Sequence, residues 1–263
     1  MSTLHILGHS LSALRLSLSS SVGPSDSIAD IVIDTGSYQL WVMEQDCQGC
    51  NASTAHLFDP SASSTAKQTG QEVLIRYVIG AVVCDEYSDT VFFGGITMDN
   101  FTFGSCYGEL DLPYPERYTT AEVVLANSSI GTLGIGFPFG TGGGDHWIIE
   151  AYQRSLIPAP AYSLTFARYS DYIDGQGTDG SLLVIGGYDQ DLLAGPINWI
   201  PCSATKHFQI PLDGIIINNR TIERVDGQPF QTIIDVPNAS ALINVVWYRR
   251  CSHWPQGHRR CIL

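Results

Sequence analysis

The sequence predicts an all-β protein, because its composition favours short strands separated by turns. Runs rich in Val, Ile, Thr, Phe and Tyr recur along the chain, and 26 Gly and 13 Pro residues interrupt them. The 263 residues are 44% hydrophobic and 15% charged, which is typical of a globular protein and excludes a disordered one. This length suits one large domain or two modest ones.

Strands are predicted wherever apolar residues alternate or form a short run between turn residues. In chain order the predicted strands cover residues 31–34, 39–42, 73–78, 90–93, 101–103, 181–185, 197–200, 208–211 and 232–235. Residues 59–65 and 174–180 are rich in Asp, Ser, Gly and Thr and are typical of loops. One helix is predicted, over residues 146–155, because Trp147, Ile148, Ala151 and Tyr152 recur at helical spacing.

The charge of the chain limits its partners. Thirteen basic and 26 acidic residues give a formal net charge of -13. Such a chain repels phosphate backbones and anionic lipid, so nucleic acid is not expected as a partner. No apolar run approaches the eighteen or so residues of a membrane-spanning helix, so no membrane span is expected either.

The glycosylation sequons indicate an extracellular, secretory or vacuolar protein. Five Asn-X-Ser/Thr sequons begin at Asn51, Asn100, Asn127, Asn219 and Asn238. The seven cysteines are compatible with disulfide bonds, and their odd number leaves at least one thiol outside an intramolecular set. A signal peptide is not evident, because Ser, His and Arg interrupt the leucines of residues 1–20.

The two ends of the chain therefore leave alternatives open. Residues 249–263 contain four of the 13 basic residues and no acidic residue, unlike the acidic body. Such a segment is either a functional basic tail or the product of translation beyond a wrong splice boundary.

One segment has the pattern expected of an acid–base site. An apolar strand over residues 29–33 leads into Asp34-Thr35-Gly36-Ser37, and a second apolar strand follows. The Asp34 carboxylate is thus presented on a tight turn at the end of a rigid element. Thr35 can tie this turn to a partner loop, while the Gly36 N–H and the Ser37 hydroxyl can donate hydrogen bonds to the carboxylate.

This motif resembles the first active-site motif of the pepsin-like aspartic proteases, of the secreted fungal type. The other segments that resemble the family follow in the expected order: Phe58-Asp59-Pro60-Ser61, Leu133-Gly134-Ile135-Gly136-Phe137, the strand and turn of residues 180–189, and Trp199-Ile200-Pro201. The resemblance covers about residues 15–245. It implies a bilobal fold, with residues 1–189 as the first lobe and residues 190–263 as an incomplete second lobe.

The resemblance also implies a function, an acid endopeptidase that acts on a peptide or protein substrate without a cofactor and as a monomer. In this family two aspartates, one from each lobe, share a proton across a bound water, which one of them activates as a base. Asp34 would be the first aspartate. Asp235 follows an apolar strand in the second half and would be the second, and Tyr77 would be the tyrosine of the flap that covers the substrate.

The second site motif departs from the family pattern. Val236, Pro237 and Asn238 stand where the family has Thr or Ser, then Gly, then Thr or Ser. Pro237 has no N–H to offer, and Val236 has no hydroxyl to lock the two loops together. Two alternatives to an active enzyme therefore remain: a catalytically inactive homologue that binds peptides or proteins, and an incomplete gene model of an active enzyme.

No metal site is predicted. Cys47 and Cys50 are expected to form a small disulfide loop, since the chain has no second cysteine pair at the spacing of a zinc site. The tail places Cys251, His253, His258 and Cys261 close together, but metal is the weaker interpretation there too. Histidines 5, 56, 146 and 207 form no cluster in the sequence.

Overall fold

The computed structural model describes residues 2–5, 14–18, 27–47, 57–77, 81–110, 130–138, 144–165, 182–212, 214–222, 230–235, 244–245 and 260–262. Strands dominate this part of the chain, which confirms the predicted all-β class. Among these residues no helix is long and apolar enough to cross a membrane.

The elements follow the chain in this order. The strands of the first half are β1 (Ser2–His5), β2 (Leu14–Leu18), β3 (Ser27–Asp34), β4 (Leu40–Met43), β5 (Lys67–Arg76), β6 (Ala81–Phe93), β7 (Ile96–Leu110) and β8 (Gly131–Gly134). Helix α1 (Trp147–Gln153) comes next. It is followed by β9 (Tyr162–Thr165), β10 (Leu182–Ile185), β11 (Trp199–Pro201), β12 (Gln209–Leu212), β13 (Ile215–Ile217), β14 (Arg220–Ile222), β15 (Phe230–Ile233), β16 (Asn244–Val245) and β17 (Arg260–Ile262).

A seven-stranded sheet organises the first half of the protein, with strand order β2-β3-β8-β4-β7-β6-β5. Strand β8 runs between β3 and β4, parallel to β3 and antiparallel to β4. Because β3 and β4 are joined by the turn that follows Asp34, β8 passes directly beneath that turn. The sheet thus supports the predicted site from below.

The core of this half is built from the apolar residues of the sheet and of helix α1. Trp41 and Trp147 are both fully buried, and Trp147 packs edge-on against Phe93 and Phe101 with ring centroids 5.7 and 5.2 Å apart. Edge-to-face contacts of this kind add to the stabilisation that the burial of large rings provides. Helix α1 is therefore held against the sheet by its first residue.

A long antiparallel pair extends from the sheet. Strands β6 and β7 are paired along most of their length, and a disulfide joins Cys84 to Cys106 at directly opposed positions. The sequence pattern predicts only two short strands here, over residues 90–93 and 101–103. The strands are longer because their polar outer residues face solvent while the inner ones remain buried.

The second half of the described chain forms smaller sheets. Strands β12, β15 and β16 form an antiparallel sheet, and β13 pairs with β14. Strand β10 lies between β1 and β9, so the beginning of the chain pairs with a strand from its middle. Strand β17, in the basic tail, pairs with β11. The lobe boundary after residue 189 stays a prediction.

Helix α1 and the 3-10 turn near residue 60 are both capped by the side chain of the residue that precedes them. The predicted helix is confirmed, and His146 caps its first turn by accepting a hydrogen bond from the Ile149 N–H through Nδ1. The helix ends two residues earlier than predicted, because Ser155 adopts a positive φ of 60°. Asp59 caps the short 3-10 turn Pro60–Ala62 in the same way, through Ser61.

Candidate active site

Asp34 lies at the last position of β3, and its side chain is buried. The segment after β8 holds the turn that follows Asp34 through two backbone hydrogen bonds. The Ile135 N–H donates to the Asp34 carbonyl at 2.8 Å, and the Gly136 N–H donates to the Ser37 carbonyl at 2.7 Å. The turn is therefore fixed by backbone contacts that do not depend on its own side chains.

Two glycines make this close approach possible. A Cβ atom on Gly134 would lie 2.4 Å from the Tyr38 nitrogen, and one on Gly136 would lie 2.5 Å from the Thr35 carbonyl oxygen. Neither position can accept a side chain without movement of the backbone, since real Cβ atoms do not approach so closely. The hydrophobic-Gly pattern of this segment thus has a steric cause.

The Asp34 carboxylate receives one of the two hydrogen bonds expected from its own turn. The Gly36 N–H donates to Asp34 Oδ1 at 2.7 Å. The Ser37 hydroxyl is buried and makes no hydrogen bond to Asp34. It instead faces the Tyr77 hydroxyl. Negative charge on Asp34 is therefore stabilised mainly by backbone.

Asp235 lies against the same turn although it is far away in sequence. A Cβ atom on Gly36 would lie 2.8 Å from Asp235 Oδ1, so only glycine leaves room for this carboxyl group. The Thr35 hydroxyl donates to the Ile234 carbonyl at 2.9 Å, which ties the first turn to the residue before Asp235. The two predicted aspartates are thus brought together.

The contact between the two carboxyl groups perturbs one of them. Burial, the negative charge of Asp34 and a hydrogen bond with Asp34 together raise the pKa of Asp235 to about 7, and burial contributes most. Asp235 Oδ1 is buried and has no hydrogen-bond partner among the described residues. At acid and near-neutral pH the pair therefore keeps one proton, and Asp235 Oδ1 can accept a hydrogen bond from a polar ligand.

Tyr77 directly follows β5. Its hydroxyl accepts a hydrogen bond from Trp41 Nε1 at 2.5 Å, and Trp41 lies in β4. Burial raises the pKa of Tyr77, as does the charge of Asp34. The tip that follows, residues 78–80, lies outside the described residues, so its predicted role as a flap stays a prediction.

Sequence reasoning missed two residues that lie close to Asp34. Burial raises the pKa of Tyr162, and the charge of Asp34 adds to this effect. The His207 imidazole hydrogen bonds to the Gly36 backbone and also senses the charge of Asp34. No sequence motif marks either residue, because each reaches the site from a distant strand or loop.

The remaining predicted residues lie partly outside the described regions. Cys47 is disulfide-bonded, but Cys50 is not among the described residues, so their pairing stays a prediction. The Cys84–Cys106 disulfide was not predicted, because its two cysteines become neighbours only through strand pairing. Asn100 and Asn219 are exposed, whereas the sequons at Asn51, Asn127 and Asn238 lie outside the described residues.

The tail residues considered for metal binding are also mostly outside the described regions, Cys261 excepted. Among the residues that the structure describes, no group of three or more His, Cys, Asp and Glu side chains could hold a metal ion.

Comparison with known proteins shows the family of the chain. A statistical model of the eukaryotic aspartyl protease family matches residues 19–243. The chain therefore belongs to the eukaryotic aspartyl protease family, whose pepsin-like fold is all-β and bilobal. The finer expectation of a fungal-type member stays a prediction.

Three relatives illustrate the similarity and its extent. Pepsin-2B of Gadus morhua is 30% identical over 233 residues, which is 86% of this chain and 66% of the relative. Cathepsin E of Mus musculus is 30% identical over 82% of this chain and 50% of the relative. Embryonic pepsinogen of Gallus gallus is 31% identical over 82% of this chain and 51% of the relative. The chain thus spans about half to two thirds of the length of these relatives.

Proposed function

We propose that the protein is an aspartic endopeptidase that hydrolyses peptide bonds at acid pH with Asp34 and Asp235 as its catalytic pair. The observation that carries this proposal is the contact between the two carboxyl groups. Two carboxyl groups that are hydrogen-bonded to each other cannot both be charged, so the pair shares one proton. Asp235 holds that proton, and the Gly36 N–H stabilises the negative charge of Asp34.

The reaction follows from these two protonation states. Asp34 takes a proton from a water molecule, whose oxygen attacks the carbonyl carbon of the substrate, while Asp235 gives its proton to the carbonyl oxygen. The resulting tetrahedral intermediate collapses when the amide nitrogen receives a proton from Asp34 and the C–N bond breaks. Asp235 regains its proton from the hydroxyl group of the intermediate, so the pair is restored. Asp34, Asp235 and the flap residue Tyr77 are the proposed functional side chains, and Thr35 and Gly36 hold the pair together.

The cysteines and the glycosylation sequons support a secretory route for this activity. The disulfide and the exposed sequons at Asn100 and Asn219 suit an oxidising, glycosylating compartment. We propose that the protein acts outside the cytosol on peptide or protein substrates.

The test is hydrolysis of denatured haemoglobin by the purified full chain between about pH 2.5 and 7, with and without a statine-type inhibitor. We expect acid activity that the inhibitor blocks and that Asp34→Asn abolishes. Asp191→Asn, an exposed carboxylate in a distant 3-10 turn, is the matched control and should retain full activity.

One observation favours a second function. Val236 and Pro237 follow Asp235, and neither can supply the hydrogen bonds that the family pattern provides there. Loss of one such donor costs on the order of a hundredfold or more in rate. A folded chain that binds the statine peptide but hydrolyses nothing would be a peptide-binding homologue, and the proposed activity would be wrong.

A further inference from the structure

The backbone of Phe208 is bonded to the loop that carries the second aspartate. Phe208 directly precedes β12, which pairs with β15, and β15 ends two residues before Asp235. The Phe208 carbonyl extends this pairing by one hydrogen bond, because it accepts the Ile234 N–H at 3.0 Å. The residue before Asp235 is therefore fixed to the backbone of Phe208.

The ring of Phe208 reaches the segment that supports the turn after β3. Its centroid lies 4.6 Å from that of Phe137, and the two ring planes are inclined by 43°. Phe137 directly follows Gly136, whose N–H donates to the Ser37 carbonyl in that turn at 2.7 Å. Tyr162 packs edge-on against the Phe208 ring, with centroids 6.0 Å apart. Aromatic pairs at these distances attract each other beyond the effect of burial alone, so the ring contact joins the two parts of the site.

Side-chain hydroxyl groups can link the two turns from one side only. The Thr35 hydroxyl donates to the Ile234 carbonyl at 2.9 Å. Val236, on the other side of Asp235, has no hydroxyl with which to return such a bond. Ile234 is thus held by Thr35 at its carbonyl and by Phe208 at its N–H.

We propose that Phe208 is a positioning residue of the catalytic pair, whose ring contact with Phe137 provides the second link between the two turns. This inference rests on the proposed pairing of Asp34 with Asp235. One hydrogen bond fixes one distance, so a separate contact is needed to fix the orientation of the two carboxyl groups as well. Phe208 provides it through the backbone of Ile234.

A positioning role predicts a specific kinetic effect. A displacement of about 1 Å in a catalytic site costs on the order of a hundredfold in rate. The loss falls on kcat when the affected contacts are made in the transition state and not in the bound substrate. We therefore expect Phe208→Leu to lower kcat about tenfold and to leave KM nearly unchanged.

The experiment compares the full wild-type chain with Phe208→Leu, Phe137→Leu and the double variant. Leucine keeps an apolar side chain at each position, so the fold is retained while the ring contact is lost. Phe101→Leu is the matched control, since the fully buried Phe101 ring packs against Trp147 of helix α1 at 5.2 Å, in the core. Chemical denaturation of each chain measures its stability.

A second measurement does not require turnover. It compares the affinity of each chain for a statine-type peptide with its affinity for the same peptide without the central hydroxyl group. A hydroxyl group both donates and accepts hydrogen bonds, so a carboxyl pair that shares one proton can bind it from both sides. The ratio of the two dissociation constants therefore reports the geometry of the pair.

We expect the wild-type chain to bind the hydroxyl peptide more tightly, and both single variants at the ring contact to lower this preference and kcat about tenfold. The double variant should lose no more than either single variant, because all three lack the same contact. Phe101→Leu should lower stability by leaving a gap in the core, without an effect on kcat or on the preference.

An unchanged preference in Phe208→Leu, an equal loss in Phe101→Leu or additive losses in the double variant would overturn the inference. A chain that hydrolyses nothing, but loses its preference on Phe208→Leu, would support the role of Phe208 and defeat the proposed activity. An active chain whose kcat and preference resist Phe208→Leu would do the reverse. A wild-type chain that does not distinguish the two peptides would defeat the pairing and this inference together.

Discussion

At the scale of single residues, the site depends on the different surroundings of two identical side chains. Asp34 lies at the buried end of β3 and receives a backbone N–H, whereas Asp235 is partly buried against it. The buried Oδ1 of Asp235 has no hydrogen-bond partner within the described part of the chain. Burial and the adjacent charge favour the protonated form of Asp235. One carboxyl group can therefore act as the base while the other acts as the acid.

The raised pKa of Asp235 predicts where activity ends on the alkaline side. Below about pH 7 Asp235 retains its proton, and above that pH the pair loses its only acid. We expect kcat/KM for peptide hydrolysis to fall tenfold for each pH unit above this limb. Asp235→Asn should lower kcat by roughly 10²–10⁴-fold, because it removes a general acid. A wild-type profile that stays flat to pH 9 would contradict this assignment.

At the scale of secondary structure elements, the segment that continues β8 is the support of the first site turn. It passes so close to the turn that its glycines contact backbone atoms instead of side chains. Backbone atoms cannot rotate away as side chains can, so added volume here must distort the turn itself.

Gly136→Ala therefore should destabilise the protein. Its Cβ would lie 2.5 Å from the Thr35 carbonyl oxygen, and we expect the free energy of unfolding to fall by about 3 kcal/mol or more. The matched control is Gly108→Ala in β7, where an added Cβ meets no atom within 4 Å. That variant should be neutral or slightly stabilising, because alanine restricts the unfolded chain. Equal chemical-denaturation midpoints for the two variants would refute the steric argument.

Helix α1 connects to the same support through His146. The imidazole Nδ1 accepts the Ile149 N–H, and Nε2 contacts the Gly136 carbonyl at 2.6 Å. These contacts require a neutral ring with its proton on Nε2. Burial lowers the pKa of His146, and this effect outweighs the hydrogen bond to the Gly136 carbonyl, which raises it.

This cap predicts a specific dependence of stability on pH. The unfolded chain binds a proton at His146 below its ordinary pKa of 6.5, whereas the folded protein resists protonation, so stability at this site is lost as pH falls below that value. His146→Asn keeps a capping acceptor that does not titrate. We expect the Tm of the wild type to fall relative to that of His146→Asn between about pH 7.5 and 5. A Tm difference that does not change with pH would show that His146 binds a proton equally well in the folded and unfolded states, and would contradict the prediction.

At the scale of the whole molecule, the fold joins residues that are distant in sequence and separates surface from core. The Cys84–Cys106 disulfide closes a separation of 22 residues across two paired strands. The sequons at Asn100 and Asn219 both lie at exposed positions with positive φ. Asparagine tolerates that backbone conformation better than most residues, so these turns do not require glycine.

Both exposed sequons should carry glycans when the full chain is made in a eukaryotic secretory cell. Asn100→Gln and Asn219→Gln should each lower the mass by one N-linked glycan, measured by mass spectrometry before and after glycosidase treatment. Asn218→Gln, at the neighbouring exposed position outside any sequon, is the matched control and should leave the mass of the glycans unchanged. An unglycosylated secreted chain would contradict the prediction.

The sequence alone determined the β-rich class, helix α1 and the motif from Asp34 to Ser37, because strand alternation, helical spacing and turn chemistry are local properties. Only the tertiary structure decided which distant groups surround that motif. The contact of Asp235 with Gly36, the hydrogen bond from Thr35 to the Ile234 carbonyl and the Cys84–Cys106 bond each join separate elements. Pairing and packing create these contacts, and with them the buried environment that sets the protonation of the site.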